Sequence, residues 1–158
     1  MLYFYSQRFG KLNLDEVKSK IIEFLHLDKK SKYSFIIGSD SQRIGKDKYF
    51  FVSALIVHRV GSGAIYFYQK KIINQKMSLK TRIYNEALLS LQMAEKFLEI
   101  FKQNGFDKFD FQIHLDIGNQ GETKSLVSEI TTLIQSSGYN FQIKPNAPAA
   151  SKVADKHT

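Results

Sequence analysis

The stretch YSFIIGSDSQ, residues 33–42, decides how the rest of the chain is read. Tyr33, Phe35, Ile36 and Ile37 make a short aromatic and β-branched run, as a buried or half-buried strand requires. The run then breaks into Gly38, Ser39, Asp40, Ser41 and Gln42, where Gly38 lets backbone or a ligand approach closely. The expectation is a strand over 33–39 that stops on the carboxylate of Asp40. An acid at the end of a central strand does little for a core, but it presents an oxygen ligand from a rigid support. Taken alone, Asp40 reads at least as well as an ordinary turn start.

Outward from this stretch, the N-terminal side is aromatic and extended over residues 2–9. A helix then begins at Asn13, which can cap, with Glu16 three residues on as in a capping box. Leu14, Val17, Ile21, Ile22, Phe24 and Leu25 give that helix an apolar face. On the C-terminal side, a turn over 42–48 containing Gly45 leads to a second strand over 49–58. A tight connection at Gly61-Ser62-Gly63 leads to a third over 64–73, completing an antiparallel meander. The third strand ends in Gln69-Lys70-Lys71, as suits a charged sheet edge.

Residues 78–103 form the longest helical pattern, with Leu79, Ile83, Ala87, Ala94, Phe97, Leu98 and Phe101 on one stripe. A fourth strand over 109–116 alternates cleanly, a second helix covers 122–136, a fifth strand covers 139–143, and an Ala-rich helical tail covers 149–157. From residue 33 the order is β-β-β-α-β-α-β-α. The fold class is α/β: a mixed five-stranded sheet flanked by helices, with an N-terminal helical addition. At 158 residues, the chain is expected to be one domain, 1–158, with residues 1–32 as an extension and 33–158 as the core.

A 43% hydrophobic fraction is ordinary for a globular chain. No apolar run is long enough to span a membrane, no secretory signal is visible, and a cytoplasmic location is the default expectation. The absence of cysteine excludes disulfides and thiolate metal sites. A formal charge of +8 suits polyanionic partners, nucleic acid first among them. The strands show no aromatic RNA-stacking signature and the chain carries no basic handle domain.

Four acids stand out against this basic background. Asp40 and Asp116 each run into a glycine-containing turn after a strand. If those strands are parallel neighbours, both acids lie at the ligand-binding edge of the sheet. Glu86 sits about 60° from the centre of the long helix's apolar stripe, at the helix–sheet boundary, and Ser90 shares its face. Asp155 lies among small residues of the tail. Singly, Glu86 reads as a boundary residue with its head in water and Asp155 as a surface ion pair. Together the four can make an oxygen-ligand cluster for two Mg²⁺ or Mn²⁺ ions, since packed carboxylates without a cation would repel one another.

Three blocks carry a family resemblance: Ile37-Gly38-Ser39-Asp40-Ser41-Gln42; His114-Leu115-Asp116-Ile117-Gly118 with Gly121, Thr123 and Lys124; and Lys144-Pro145 with Ala149-Ala150-Ser151 through Val153-Ala154-Asp155-Lys156-His157. In these the chain resembles the bacterial YkuK-type family, classed as ribonuclease H-like and as a predicted nuclease. The resemblance implies a ribonuclease H-like fold and a catalytic set of Asp40, Glu86, Asp116 and Asp155. The Glu86 match rests on helix phase and order. By the same resemblance Asp40 bridges two metal ions, Glu86 and Asp116 hold the ion on the leaving 3′-oxygen side, and Asp155 serves the ion that activates water. His157 and His114 are candidate proton carriers, against a structural or surface role. Gln42, Arg82, Thr123, Lys124, Lys144 and Lys152 are candidate nucleic-acid contacts, against plain solvation.

The implied function is metal-dependent hydrolysis of phosphodiester bonds in RNA, an RNA–DNA hybrid or structured DNA. The alternative is a non-catalytic nucleic-acid-binding module on the same fold. A nucleotide phosphohydrolase is a third class, disfavoured by the lack of a GxxxxGK[ST] loop. Oligomeric state is left open by the sequence.

Overall fold

In the computed structural model, which describes residues 3–103, 109–117 and 124–143, the 33–42 stretch runs through the middle of a mixed sheet. The chain order is β1 (Phe4–Ser6), β2 (Gly10–Leu12), α1 (Leu14–Leu27), β3 (Tyr33–Gly45), β4 (Lys48–Arg59), β5 (Ala64–Ile73), α2 (Leu79–Gln103) and β6 (Phe109–His114). A 3-10 turn (Lys124–Leu126), α3 (Val127–Ser136) and β7 (Asn140–Gln142) follow. The strands lie in the order β2-β1-β5-β4-β3-β6-β7. The antiparallel meander is β3-β4-β5, and β6 and β7 add in parallel beyond β3.

Among the described residues the sheet has seven strands, where five were expected. The extra two are short: β1 and β2 form a hairpin that joins the outer edge of β5, Tyr5 opposite Tyr68. Aromatic packing holds the hairpin there. Phe4 is buried edge-on against Phe97 of α2, and Tyr5 stacks on Tyr68. A strand outside β5 therefore protects an edge that the sequence leaves to charge alone.

A second correction concerns β3, which does not stop at Asp40. It continues to Gly45 and pairs with β4 along its length, with one irregularity between Arg43 and Gly45. The turn shrinks to Lys46-Asp47, and Asp47 takes the left-handed backbone, φ 52°, which Asp tolerates better than most residues. Polar residues continue the strand because their hydroxyls are satisfied. Ser39 and Ser41 both face α2 and find partners there.

The core occupies one face. Phe35 and Ile37 of β3, Leu55 and Val57 of β4, Ile65 and Phe67 of β5, and Ile113 of β6 join residues from α1, α2 and α3 in a single buried cluster. α1 contributes Val17, Ile21 and Leu25; α2 contributes Ala87, Ala94 and Phe97; α3 contributes Ile130 and Ile134. The capping box at α1 forms as read, with Asn13 Oδ1 accepting from the Glu16 amide at 2.8 Å. Glu129 ties α3 to α2 by accepting from the Tyr84 hydroxyl and pairing with Lys80 at 3.7 Å. On the opposite face, Val52 and Ala54 form a small separate cluster with Phe50 and Tyr68. No helix among the described residues is long and apolar enough to cross a membrane. The expected tail helix over 149–157 lies outside the described residues.

Candidate active site

Register brings two of the four acids together. β3 and β6 run parallel with Gly38 level with His114. β6 ends at His114 while β3 continues, so Asp40 and Asp116, each two residues further on, come level where β6 gives out. Asp40 is thus a mid-strand residue, opposite Val52 of β4, and the strand end beside it belongs to its neighbour. Asp40 is half-buried and Asp116 exposed. The crevice beyond the carboxyl ends of parallel strands is where α/β sheets bind ligands.

Glu86 arrives from α2. Its Oε2 accepts from Ser41 Oγ at 2.7 Å. Arg82, one turn earlier, donates from Nη2 to the Ser41 carbonyl at 3.0 Å and to Ser41 Oγ at 3.1 Å. One turn beyond Glu86, Ser90 Oγ lies 2.8 Å from Ser39 Oγ, which is also 2.8 Å from Ser53 Oγ of β4. All three of these hydroxyls are buried. Polar contacts therefore pin α2 to β3 on both sides of Asp40. Because side chains alternate along a strand, Asp40 turns to the other face.

The electrostatics follow from this placement. Burial raises the Glu86 carboxyl from 4.5 to about 8; the Ser41 hydrogen bond opposes the rise, the charges of Asp40 and Asp116 add to it, and Arg82 lowers it. A glutamate held this way is largely protonated at neutral pH. Asp116, Glu86, Ser39, Ser90 and His114 line one small pocket between α2 and the end of β6.

The other candidates divide. His114 is buried, and burial lowers its pKa against a raising influence from Asp110, so the ring is neutral. Its Nε2 lies 3.2 Å from Gln112 Oε1, and its Nδ1 has no hydrogen-bond partner among the described residues. Arg82 is engaged by Ser41 and lies over the Tyr49 ring at 5.1 Å. Gln42 and Lys124 are exposed. Asp155, Thr123, Lys144, Lys152 and His157 lie outside the described residues. The sequence reading missed Ser39, Ser41 and Ser53; Ser90 was the one visible sign, through its helix phase.

Among the described residues, no three His, Cys, Asp or Glu side chains stand close enough to hold a metal ion as a group. The donor chemistry still fits a hard divalent cation. The described acids offer only oxygen, and Glu86 is kept protonated by burial and by the two neighbouring carboxylates, a burden that a cation would relieve.

Comparison with known proteins agrees with this architecture. A family model described as Ribonuclease H-like matches residues 16–158. The chain is 31% identical over 166 residues to the uncharacterized protein YkuK of Bacillus subtilis (strain 168), covering 98% of this chain and 96% of that protein. No solved structure matches. With an antiparallel meander, parallel strands beyond it and two acids level where β6 ends, the chain belongs to the ribonuclease H-like family.

Proposed function

We propose that this protein is a divalent-metal-dependent nuclease that hydrolyses phosphodiester bonds, with Asp40, Glu86, Asp116 and Asp155 holding Mg²⁺ or Mn²⁺. One observation carries the reading: Glu86 is buried enough, and near enough to Asp40 and Asp116, to be pushed up to about 8. A fold that needed no cation there would gain by replacing that acid. When bound, a metal pair supplies a hydroxide nucleophile at neutral pH and neutralises charge at the leaving oxygen.

The chain's own residues prepare for this. Asp40 is held in a ladder with β4, so its backbone is placed by the sheet and not by a loop. Ser41 orients Glu86, and Arg82 orients Ser41, which makes both positioning residues. Glu86 keeps a proton below about pH 8, so loading the site at neutral pH releases one. Gln42 and Lys124, both exposed, are proposed phosphate contacts, joined by Thr123, Lys144 and Lys152. With His114 sealed in its neutral form, His157 is the stronger candidate for a proton carrier.

A non-catalytic binding module is the second reading. It is favoured by the absence of any three-acid metal group among the described residues. The two separate in a cleavage panel of single-stranded RNA, duplex RNA, RNA–DNA hybrid, single-stranded DNA and a branched DNA, with Mg²⁺ or Mn²⁺. Cleavage that stops with EDTA and in Asp40→Asn supports the nuclease. Binding without cleavage, unchanged or stronger in Asp40→Asn, supports the module.

A further inference from the structure

The positive charge of the chain is concentrated in one place. Between Ser41 and Asn85, the segment that separates Asp40 from Glu86, lie nine lysines and arginines and one acid, Asp47. That excess of eight equals the formal charge of the whole chain, +8, so the rest of the sequence balances. Arg59 stands apart, at the far end of β4, where it donates to the Phe24 carbonyl at 2.7 Å. The other eight gather at one end of the fold: around the β3–β4 turn, at the end of β5, and from there into the start of α2.

Register sets this basic end beside Asp40. Lys71 is level with Phe51, and Phe51 with Ser41, the residue after Asp40. Arg43 is three residues beyond Asp40 along β3, about 10 Å. Lys46 and Lys48 follow at the turn. The Tyr49 hydroxyl donates to the Met77 carbonyl at 3.2 Å, which holds the connection carrying Lys76 against the same end. Three of the eight are engaged: Lys80 pairs with Glu129, Arg82 holds Ser41, and Lys70 lies over Tyr5, Phe50 and Tyr68. Arg43, Lys46, Lys48, Lys71 and Lys76 are exposed, and none of them forms an ion pair among the described residues.

Cations gathered this closely without counter-charges attract a polyanion, and two features choose a duplex. Tyr49 and Phe51, the rings within this end, are buried and offer unpaired bases no stacking face. Without stacking, affinity follows charge density, which is higher along a duplex than along a single strand. Alternation also puts Arg43 and Lys71 on the helix side and Lys48 on the other, so cations flank the meander's end on both faces. That arrangement suits the two phosphate rows bordering a groove better than the one row of a single strand.

We infer that the far end of the β3-β4-β5 meander binds the backbone of duplex nucleic acid through Arg43, Lys46, Lys48, Lys71 and Lys76, and leads the duplex to the acids. That last step rests on the nuclease reading; the grip on phosphate does not. No separate basic domain is needed, since the meander itself carries the charge.

The test uses the full chain in EDTA, with fluorescence anisotropy of a labelled mixed-sequence duplex and a single strand of equal length over a range of KCl. Tighter binding of the duplex is expected. Lys46→Gln, Lys48→Gln, Lys71→Gln and Lys76→Gln together should make the plot of log affinity against log salt shallower by about one unit per cation removed, and should weaken duplex binding by about a hundredfold or more at low salt. The same four lysines changed to arginine should keep both. Lys11→Gln, Lys29→Gln, Lys30→Gln and Lys32→Gln lower the net charge equally and should leave the slope close to that of the parent. An unchanged slope in the first set, an equal loss in both sets, or preference for the single strand overturns the inference. Lysine acetylation of the unsubstituted protein, with and without duplex, is independent of how the variants fold. Protection at Lys46, Lys48, Lys71 and Lys76 supports the surface, and protection confined to other lysines overturns it. Binding to phosphatidylserine vesicles that duplex does not compete away would assign this end to a membrane surface and overturn it as well. Cleavage by the unsubstituted protein is scored separately. Cleavage with binding indifferent to the four lysines leaves the nuclease and removes the surface; lysine-dependent binding without cleavage of any substrate does the reverse.

Discussion

Ser39 and Ser41 face the helices from β3, while Asp40 between them faces away, and the two sides of the sheet differ in kind as much as in orientation. On the helix side, Phe35, Ile37, Phe67 and their helix partners form one dry core, and even its polar members are closed on each other through the Ser39–Ser53–Ser90 bridge. On the other side, the sheet carries an acid, a lysine and half-buried tyrosines around a two-residue apolar patch. Glu86 joins the two sides: it comes from the helix side, yet the charges of Asp40 and Asp116 reach it.

Substitutions on the two faces should therefore fail in different ways. The largest effect is expected from Asp40→Asn, which should cost on the order of a thousandfold in metal-dependent cleavage, the equivalent of several kcal/mol. Its thermal unfolding should stay close to that of the unsubstituted protein. Ile37→Ala, on the buried side of the same strand, should do the opposite. A fully buried isoleucine lost to a cavity destabilises by about 2–5 kcal/mol, read by chemical denaturation.

Glu86→Gln sharpens the comparison because Glu86 belongs to both sides. Its folded pKa is raised, to about 8 from 4.5, so the folded protein holds this proton more tightly than the unfolded chain does. The stability it contributes is fully present below about pH 4.5 and is lost as pH rises through about 8. Glu86→Gln should remove that slope and become more stable than the parent above pH 8, by roughly 2 kcal/mol in pH-dependent melting. Added Mg²⁺ should rescue the parent at high pH and leave the variant unmoved. The smallest effect is expected from Ser39→Ala, about 1–2 kcal/mol, since it leaves the Ser53 and Ser90 hydroxyls short of a buried partner. Cleavage should persist in that variant.

The sequence made the helix side legible and the other side only in part. Alternation over 33–37 and 109–115 and the stripe of α2 locate the core, because burial imposes period on apolar residues. Asp116 is visible for a related reason, as a polar residue where a regular pattern stops. The length of β3 was hidden. Ser39, Asp40, Ser41 and Gln42 look like a turn until Ser53 and Ser90 are seen to receive Ser39, and Ser90 lies 51 residues away. The strands β1 and β2, three residues each, are too short to show a period.

The most direct test of converging acids is Mn²⁺ binding followed by electron paramagnetic resonance of the free ion, across pH values on either side of about 8. Binding should be lost in Asp40→Asn and in Asp116→Asn, and should release a proton at neutral pH that Glu86→Gln does not release. Mn²⁺ affinity that is undetectable, or equal in all three carboxylate variants and the parent, would contradict a shared metal site at the end of β6.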